Sequence, residues 1–445
     1  MSNPLIRLDT LIDEISMGPF GSDIKVENFV DYGVPVLNGA NLTGFKLTED
    51  EFKYVTKEKA KTYKKAIAKK GDIVITHRGT LGQISYIPND SKFEEYVISQ
   101  SQFRVSFKKN KIDPAFFVYY FHTSEGQKRL LANKCHVGVP ALAQATTNFK
   151  LIKIPLPDLF TQQKIAAVLS SLDSKIALNN RINNELESMA KTLYDYWFVQ
   201  FDFPTPAEYA ASIGRPEMAG KPYKSSGGKM VWNKELKREI PEGWKAKPLS
   251  EITNVSIESE SPMNYPNKEY KHYSIPEFDL SGTYKIEKGK EIKSNKFKIE
   301  KGDILVSKLN PWFNRVIHAA VEEDLICSTE FVVWRTHNIG VKNYLFMTAR
   351  DINFIKYCTK SASGTSNSHK RVNPSVMMKY KIAYNYNFAN LFGNKLESTI
   401  KRLSMNKVQN QHLSSLRDWL LPMLMNGQVR VAETADKEEK IYEKC

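Results

Sequence analysis

Two short segments of the chain combine residue types suited to reading a polyanion. Thr76-His77-Arg78-Gly79 leaves the β-rich run DIVIT (72–76) as a turn, and an arginine held there can donate two hydrogen bonds to one guanine edge. Ser307-Lys308-Leu309-Asn310 leaves the run DILVS (303–307) in the same way, with Arg315 following. A third segment, SASGTSNSHKR (361–371), carries Ser366 and Asn367 and ends in His369-Lys370-Arg371. Hydroxyls, amides and cations of this kind suit phosphate and base-edge contacts. Its counterpart in the first half is Lys134-Cys135-His136-Val137-Gly138. Gly18-Pro19-Phe20-Gly21-Ser22 with Lys25, and Asn38-Gly39-Ala40-Asn41, complete the exposed polar loops. All of these residue types also occur on solvated turns that bind nothing. The basic run at 57–70, KEKAKTYKKAIAKK, is either a solvated face or a phosphate contact.

These candidates come in pairs because the chain repeats itself. Gly71-Asp72-Ile73 returns as Gly302-Asp303-Ile304, an offset of 231. Asn41-Leu42-Thr43-Gly44 returns as Asp279-Leu280-Ser281-Gly282 at 238, and Ser101-Gln102-Phe103 as Thr329-Glu330-Phe331 at 228. The period is far too long for a solenoid repeat and describes two copies of one domain. Two copies imply two related sites and a ligand with two related parts.

The copies need elements to position them. The first, residues 1–155, reads as short β-branched and aromatic runs separated by Gly and Asn turns, with a helical stretch from Pro114. It is an α+β domain. Asp158 then suits a helix N-cap, and no Pro or Gly occurs from 159 to 198. Apolar residues recur there at 3-4 spacing: Ile165, Leu169, Leu172, Ile176, then Leu186, Ala190, Leu193, Trp197. Asn179 and Asn183 take the two intervening seam positions. A second seam runs Phe392, Leu396, Thr399, Leu403, Asn406, Asn410, Leu413, Leu420, Leu424, its asparagines displaced by 227. Paired antiparallel, such helices bring both asparagine pairs together, and the amides satisfy one another. Replacing Asn179 and Asn183 by Leu is expected to strengthen pairing while loosening register. Each helix of about 38 residues is ~57 Å long. The resulting plan is a domain at 1–155, a helix at 156–201, a connector at 202–241 with little core of its own, a second domain at 242–385, a helix at 386–429 and a flexible tail at 430–445.

Composition narrows the class. With 64 basic against 49 acidic residues the net charge is +15, which favours an anionic partner. The four cysteines are scattered, which fits reduced thiols in a cytoplasmic protein and neither a zinc site nor a disulfide framework. The opening MSNPLIRLDT lacks the apolar core of a leader, and no run approaches a membrane span. No phosphate-binding glycine loop, dinucleotide fingerprint or zinc-protease motif occurs. Asn310-Pro311-Trp312-Phe313 is similar to the Asn-Pro-Pro-aromatic loop of amino-methyltransferases, but its second proline is missing and no glycine-rich cofactor loop precedes it. A turn with an exposed aromatic is the better reading.

Several stretches together resemble one family. They are Pro155-Leu156-Pro157 with Gln162-Gln163-Lys164-Ile165-Ala166, then Leu193-Tyr194-Asp195-Tyr196-Trp197-Phe198 running on to Phe203-Pro204, and Ile240-Pro241-Glu242-Gly243-Trp244. Gly18-Pro19-Phe20-Gly21-Ser22, the two Gly-Asp-Ile steps, Leu420-Leu421 and Asn426-Gly427 also fit. Over residues 1–430 the chain is similar to the specificity subunit of type I restriction–modification systems. Tyr384-Asn385-Tyr386-Asn387 departs from the Pro-Leu-Pro pattern before the second helix. The resemblance implies two target-recognition domains joined by two long antiparallel helices, each domain reading half of a bipartite DNA target. It implies no catalysis by this chain and no cofactor of its own. Its partners are then double-stranded DNA, two modification subunits that use S-adenosylmethionine to methylate adenine, and restriction subunits that use ATP and Mg. Two other readings remain: the specificity half of a single-chain restriction–modification enzyme, and a coiled-coil dimeric DNA-binding regulator.

Overall fold

The computed structural model describes residues 3–19, 24–108, 110–135, 139–364 and 369–432. It is a mixed helix-and-sheet fold that divides into two units. Unit one is Met1–Lys175 with Leu413–Cys445, and unit two is Ile176–His412.

Unit one holds two four-stranded sheets. The first runs Ile12–Met17, Gln102–Phe107, Ile73–Thr76, Ile84–Tyr86, and is antiparallel throughout. The second runs Lys53–Val55, Val34–Val36, Glu95–Val97, Ile67–Lys69, with its central pair parallel. Unit two repeats both. Asn254–Ser256, Phe331–Arg335, Ile304–Ser307 and Val316–His318 form the antiparallel sheet. Lys285–Lys288, Glu269–Tyr273, Leu325–Cys327 and Lys296–Lys298 form the second, again with a parallel central pair and with the short strand Ser259–Glu260 added at one edge. The strand order is the same in both units, so the repeat read from a few landmarks is a repeat of topology.

The Gly-Asp-Ile steps are turn devices, which explains why they survive in both copies. Gly71 and Gly302 take φ of 90° and 74°, a left-handed conformation that costs glycine nothing. Each aspartate then folds back on the turn. Asp72 Oδ2 accepts from the Lys69 amide at 2.9 Å, and Asp303 Oδ2 from the Glu300 amide at 2.9 Å. Both carboxylates are buried and each meets an arginine: Arg104 at 3.4 Å, Arg335 at 2.8 Å. Burial pushes the Asp72 carboxyl up, against its Lys69 and Arg104 contacts. At Arg335 burial is outweighed by Asp303, and the guanidinium is raised.

Each sheet pair closes on an antiparallel couple just before a long helix: Leu5–Arg7 with Lys153–Pro155, and Lys245–Pro248 with Lys381–Tyr384. The first helix is Leu159–Tyr194, capped by Asp158, whose Oδ1 accepts from the Thr161 amide at 2.9 Å. It continues as a π turn over Asp195–Val199. Gln162 of this helix is fully buried and holds three backbone groups of unit one: the Asp113 amide and the Lys111 and Pro157 carbonyls. The second long helix is Tyr386–Met425. It begins without the proline pattern because Asn385 supplies the cap, accepting from the Asn387 amide at 3.1 Å. Gly427, at φ 70°, follows its end. Ile400 rather than Thr399 is the buried residue of its apolar face.

The segment 202–241 differs from the expected connector. It folds into the helix Ala207–Ser212 and the hairpin Met230–Asn233/Arg238–Pro241. Phe203 and Tyr223 are fully buried, and Phe203 stacks on Trp244 at 5.4 Å and meets Phe388 at 4.2 Å. Its Pro and Gly residues set turns, while Phe203, Tyr209 and Tyr223 join the core of unit two. No helix among the described residues is long and apolar enough to cross a membrane.

Candidate nucleic-acid interface

In each unit the hairpin at one edge of the antiparallel sheet ends in a tip built on one plan. In unit one the Thr76 amide donates to the Gln83 carbonyl at 3.0 Å and closes residues 77–82. In unit two the Ser307 amide donates to the Arg315 carbonyl at 3.0 Å and closes residues 308–314. Both tips use two left-handed positions: Gly79 and Gly82 at φ 91° and 89°, Asn310 and Asn314 at φ 47° and 50°. Asparagine is among the few side chains that tolerate this region.

A second segment pins each tip. The Gly79 amide donates to the Pro140 carbonyl and the Leu142 amide to the His77 carbonyl, both at 2.9 Å. Lys134-Cys135 pairs with Ala141-Leu142, so Lys134 belongs to the hairpin bonded to the Arg78 turn. In unit two the Asn310 amide donates to the Lys370 carbonyl at 2.7 Å, and the Val372 amide to the Lys308 carbonyl at 3.0 Å. Candidates far apart in sequence are therefore adjacent within each unit: His77 and Arg78 with Lys134, and Lys308 and Asn310 with Lys370 and Arg371. His136, Ser366 and Asn367 lie outside the described residues, as do residues 20–23 of the loop before Lys25 and the tail from 433.

The side chains divide by what they already hold. Arg78 and Lys134 are exposed, Lys308 and Lys370 half-buried, and His369 exposed. Arg78 meets no carboxylate among the described residues. His77 is half-buried, and its Nε2 lies 3.1 Å from the Gln100 carbonyl; burial holds the imidazole below its ordinary value. Lys25 is exposed beside Glu27 at 3.6 Å. Asn38 is exposed and caps the next turn, accepting from the Ala40 amide at 2.7 Å.

Other candidates are occupied with structure. Asn41 is buried; it accepts from the Asn38 amide and donates to the Thr48 and Asp50 carbonyls. Both of its N–H donors are used and the side chain is buried, so it drops out of the contact set. Ser307 is buried and donates to the Leu309 carbonyl. The Asn310 side chain accepts from the Lys370 amide at 3.0 Å and shapes the tip. Arg315 forms a two-bond pair with Asp279 at 2.6 and 2.7 Å, and Arg371 one with Glu330 at 2.9 and 3.1 Å. Asp279 and Glu330, named above only as repeat landmarks, could not be linked to these arginines because nothing local ties them to residues 36 and 41 positions away. Gln83 was missed too; it links Thr76 Oγ1 at 3.2 Å to the Gly39 carbonyl at 2.9 Å, joining the tip to the Asn38 loop.

The seam asparagines meet inside unit two. Asn179 donates to Asn410 and Gln409, Asn410 to Asn180, and Asn406 to Asn183, at 2.7–2.8 Å. Pairing 179 with 410 and 183 with 406 makes the two helices antiparallel there.

Duplicated domains of one topology, each with a basic tip on its antiparallel sheet, together with long helices, define a class of internally repeated two-domain proteins. The chain is similar to known proteins. Residues 21–188 match the type I restriction modification DNA specificity domain. The type I restriction enzyme MjaIX specificity subunit of Methanocaldococcus jannaschii is 24% identical over 461 residues, covering 96% of this chain and 98% of that one. The HindI specificity subunit of Haemophilus influenzae is 24% identical over 413 residues, covering 82% and 88%. The crystal structure of the type I system S subunit from M. genitalium has the same fold, with a TM-score of 0.59 at 14% identity, covering 97% and 96%. The chain is thus similar, along almost its whole length, to a type I restriction enzyme specificity subunit, and residues 21–188 match the specificity-domain model.

Proposed function

We propose that this chain is the DNA-reading subunit of a type I restriction–modification complex, with each unit reading one half of a bipartite target. It is a recognition protein and not itself an enzyme. The recognition domains are residues 1–155 and 242–385, and the helices at 156–201 and 386–429 set the spacing of the half-sites. Two modification subunits bind the chain and methylate adenine with S-adenosylmethionine. Restriction subunits supply the ATP- and Mg-dependent steps, and the complex works in the cytoplasm. The observation that carries this reading is the repeated tip: one backbone framework, built twice, with different side chains mounted on it. A framework held constant while its contents change suits two half-sites of different sequence.

The test is to sequence methylated adenines in cells with and without the chain. A bipartite adenine motif that disappears with the chain is expected. Methylation that persists unchanged in its absence overturns the reading.

A further inference from the structure

The two tips differ most between their left-handed positions. Unit one places Thr80 and Leu81 there, and Leu81 packs against the core. Unit two places Pro311, Trp312 and Phe313, in a short 3-10 turn flanked by Asn310 and Asn314. Pro311 is buried, whereas Trp312 is 38% and Phe313 57% exposed. Phe313 keeps most of its surface in solvent at the end of a constrained turn, and Trp312, more covered, lies beside it with ring centroids 5.9 Å apart. Arg315 lies over Phe313 at 4.5 Å and is itself fixed by its two bonds to Asp279. The guanidinium backs one side of the ring, and the ring keeps more than half of its surface in solvent. Lys308 belongs to the same tip, and Lys370 is bonded to it, which places cations beside an apolar surface.

We propose that Trp312 and Phe313 are specificity-determining residues of unit two that read thymine 5-methyl groups in the major groove. The proposal rests on the DNA-reading function above. Thymine is the one base that offers an apolar group on its major-groove edge, and aromatic side chains make that contact without unstacking the duplex. Wedging between base pairs needs the step to be opened first. Backed on one side by Arg315, the Phe313 ring loses little freedom on binding. Unit one has no aromatic on its tip and reads instead with Arg78, so the two half-sites differ in chemistry.

The experiment uses the full chain assembled with its modification subunits on its target duplex, each thymine replaced in turn by deoxyuridine. Loss of the methyl at one or two positions of a single half-site is expected to weaken binding about 5- to 30-fold. In Trp312→Ala/Phe313→Ala, binding to the natural target falls by a similar factor and the deoxyuridine substitutions have no further effect. Discrimination at the other half-site stays intact in that variant, which shows that the chain is folded. Sequence-specific binding by the natural protein that ignores every deoxyuridine overturns the proposal. So does 2-aminopurine fluorescence that reports an unstacked step and disappears in the double variant, since that is wedging. A natural protein without sequence-specific binding sinks the DNA-reading function instead.

Discussion

Asn406 donates a hydrogen bond to Asn183 at 2.8 Å, and both side chains are buried. Asn179 and Asn410 make the matching bond at 2.8 Å. The two bonds form a ladder that only one antiparallel register satisfies. This alters what leucine substitution should do. Asn183→Leu alone removes an acceptor from a buried amide, and the stranded Asn406 Nδ2 costs about 1–3 kcal/mol. It therefore weakens the pair, contrary to the expectation from seam hydrophobicity alone. Asn183→Leu with Asn406→Leu removes both polar groups and should recover or exceed the original stability. Chemical denaturation of the single and double variants checks the order. Stability with register lost should appear as a relaxed preference for spacer length in the DNA target.

Arg78, on the tip of unit one, and Arg371, on the segment that pins the tip of unit two, sit in opposite circumstances. Arg78 is exposed with no acidic partner among the described residues, while Arg371 is tied to Glu330 by two bonds. Arg78→Ala is expected to cost about 1–3 kcal/mol of discrimination at one base pair of one half-site, with thermal stability unchanged. Arg371→Ala should change stability by under about 1 kcal/mol, since its pair is half exposed, and should leave Glu330 as a bare negative charge beside the tip. Weaker binding with a shallower loss in salt is the corresponding signal in a titration. Equal losses at both half-sites from Arg78→Ala would contradict independent reading by the two units.

The Gly-Asp-Ile turns make a paired prediction. Asp303 is 1% exposed on its side chain and meets Arg335 at 2.8 Å; Asp72 meets Arg104 at 3.4 Å. Asp303→Ala should cost about 2–4 kcal/mol, and Asp72→Ala less, because the Asp72 pair is looser and burial already works against its charge. Gly71→Ala meets no atom within 4 Å, so its cost is backbone strain alone, about 1 kcal/mol at φ 90°. Gly302→Ala adds a contact at 3.1 Å with Lys342 Nζ, a flexible end that can swing aside, so its cost should exceed that of Gly71→Ala only slightly. Denaturation midpoints of the four variants give the ranking.

These residues also show what sequence could reveal. Gly71-Asp72-Ile73 and its repeat were legible because the device is local: a left-handed glycine followed by a side chain that caps its own turn. The asparagine ladder was legible because a seam with a fixed period exposes any polar interruption. Asn41 was misread because one residue type serves both base reading and turn capping, and only burial separates the two. Arg315 and Arg371 were read as candidate DNA contacts, and their ion pairs were not legible because the carboxylates come from distant segments. The segment 202–241 was read as a linker because its prolines and glycines are local signals, whereas burial of Phe203 depends on Trp244 and Phe388 from elsewhere in unit two.

Burial of His318 makes the stability of unit two depend on pH. Its Nε2 has no hydrogen-bond partner, and burial, with the nearby Lys342 charge, lowers its pKa from 6.5 to about 4. In the unfolded chain the imidazole takes a proton near pH 6.5; in the folded unit it resists until about pH 4. Between those values the unfolded state binds more protons, so stability falls as pH falls, by about 3 kcal/mol over the window, and levels off below it. Above pH 6.5 the imidazole is neutral in both states and contributes no slope. His272 in the same unit is also lowered by burial, against its Glu287 contact, and adds to the slope in the same direction. His318→Gln keeps a neutral polar group but cannot take up the proton. Its stability should fall less steeply between pH 6.5 and 4 than that of the natural chain, whatever its stability at neutral pH. Parallel profiles for the two proteins, measured by denaturation across that range, would mean that His318 is not the source of the slope.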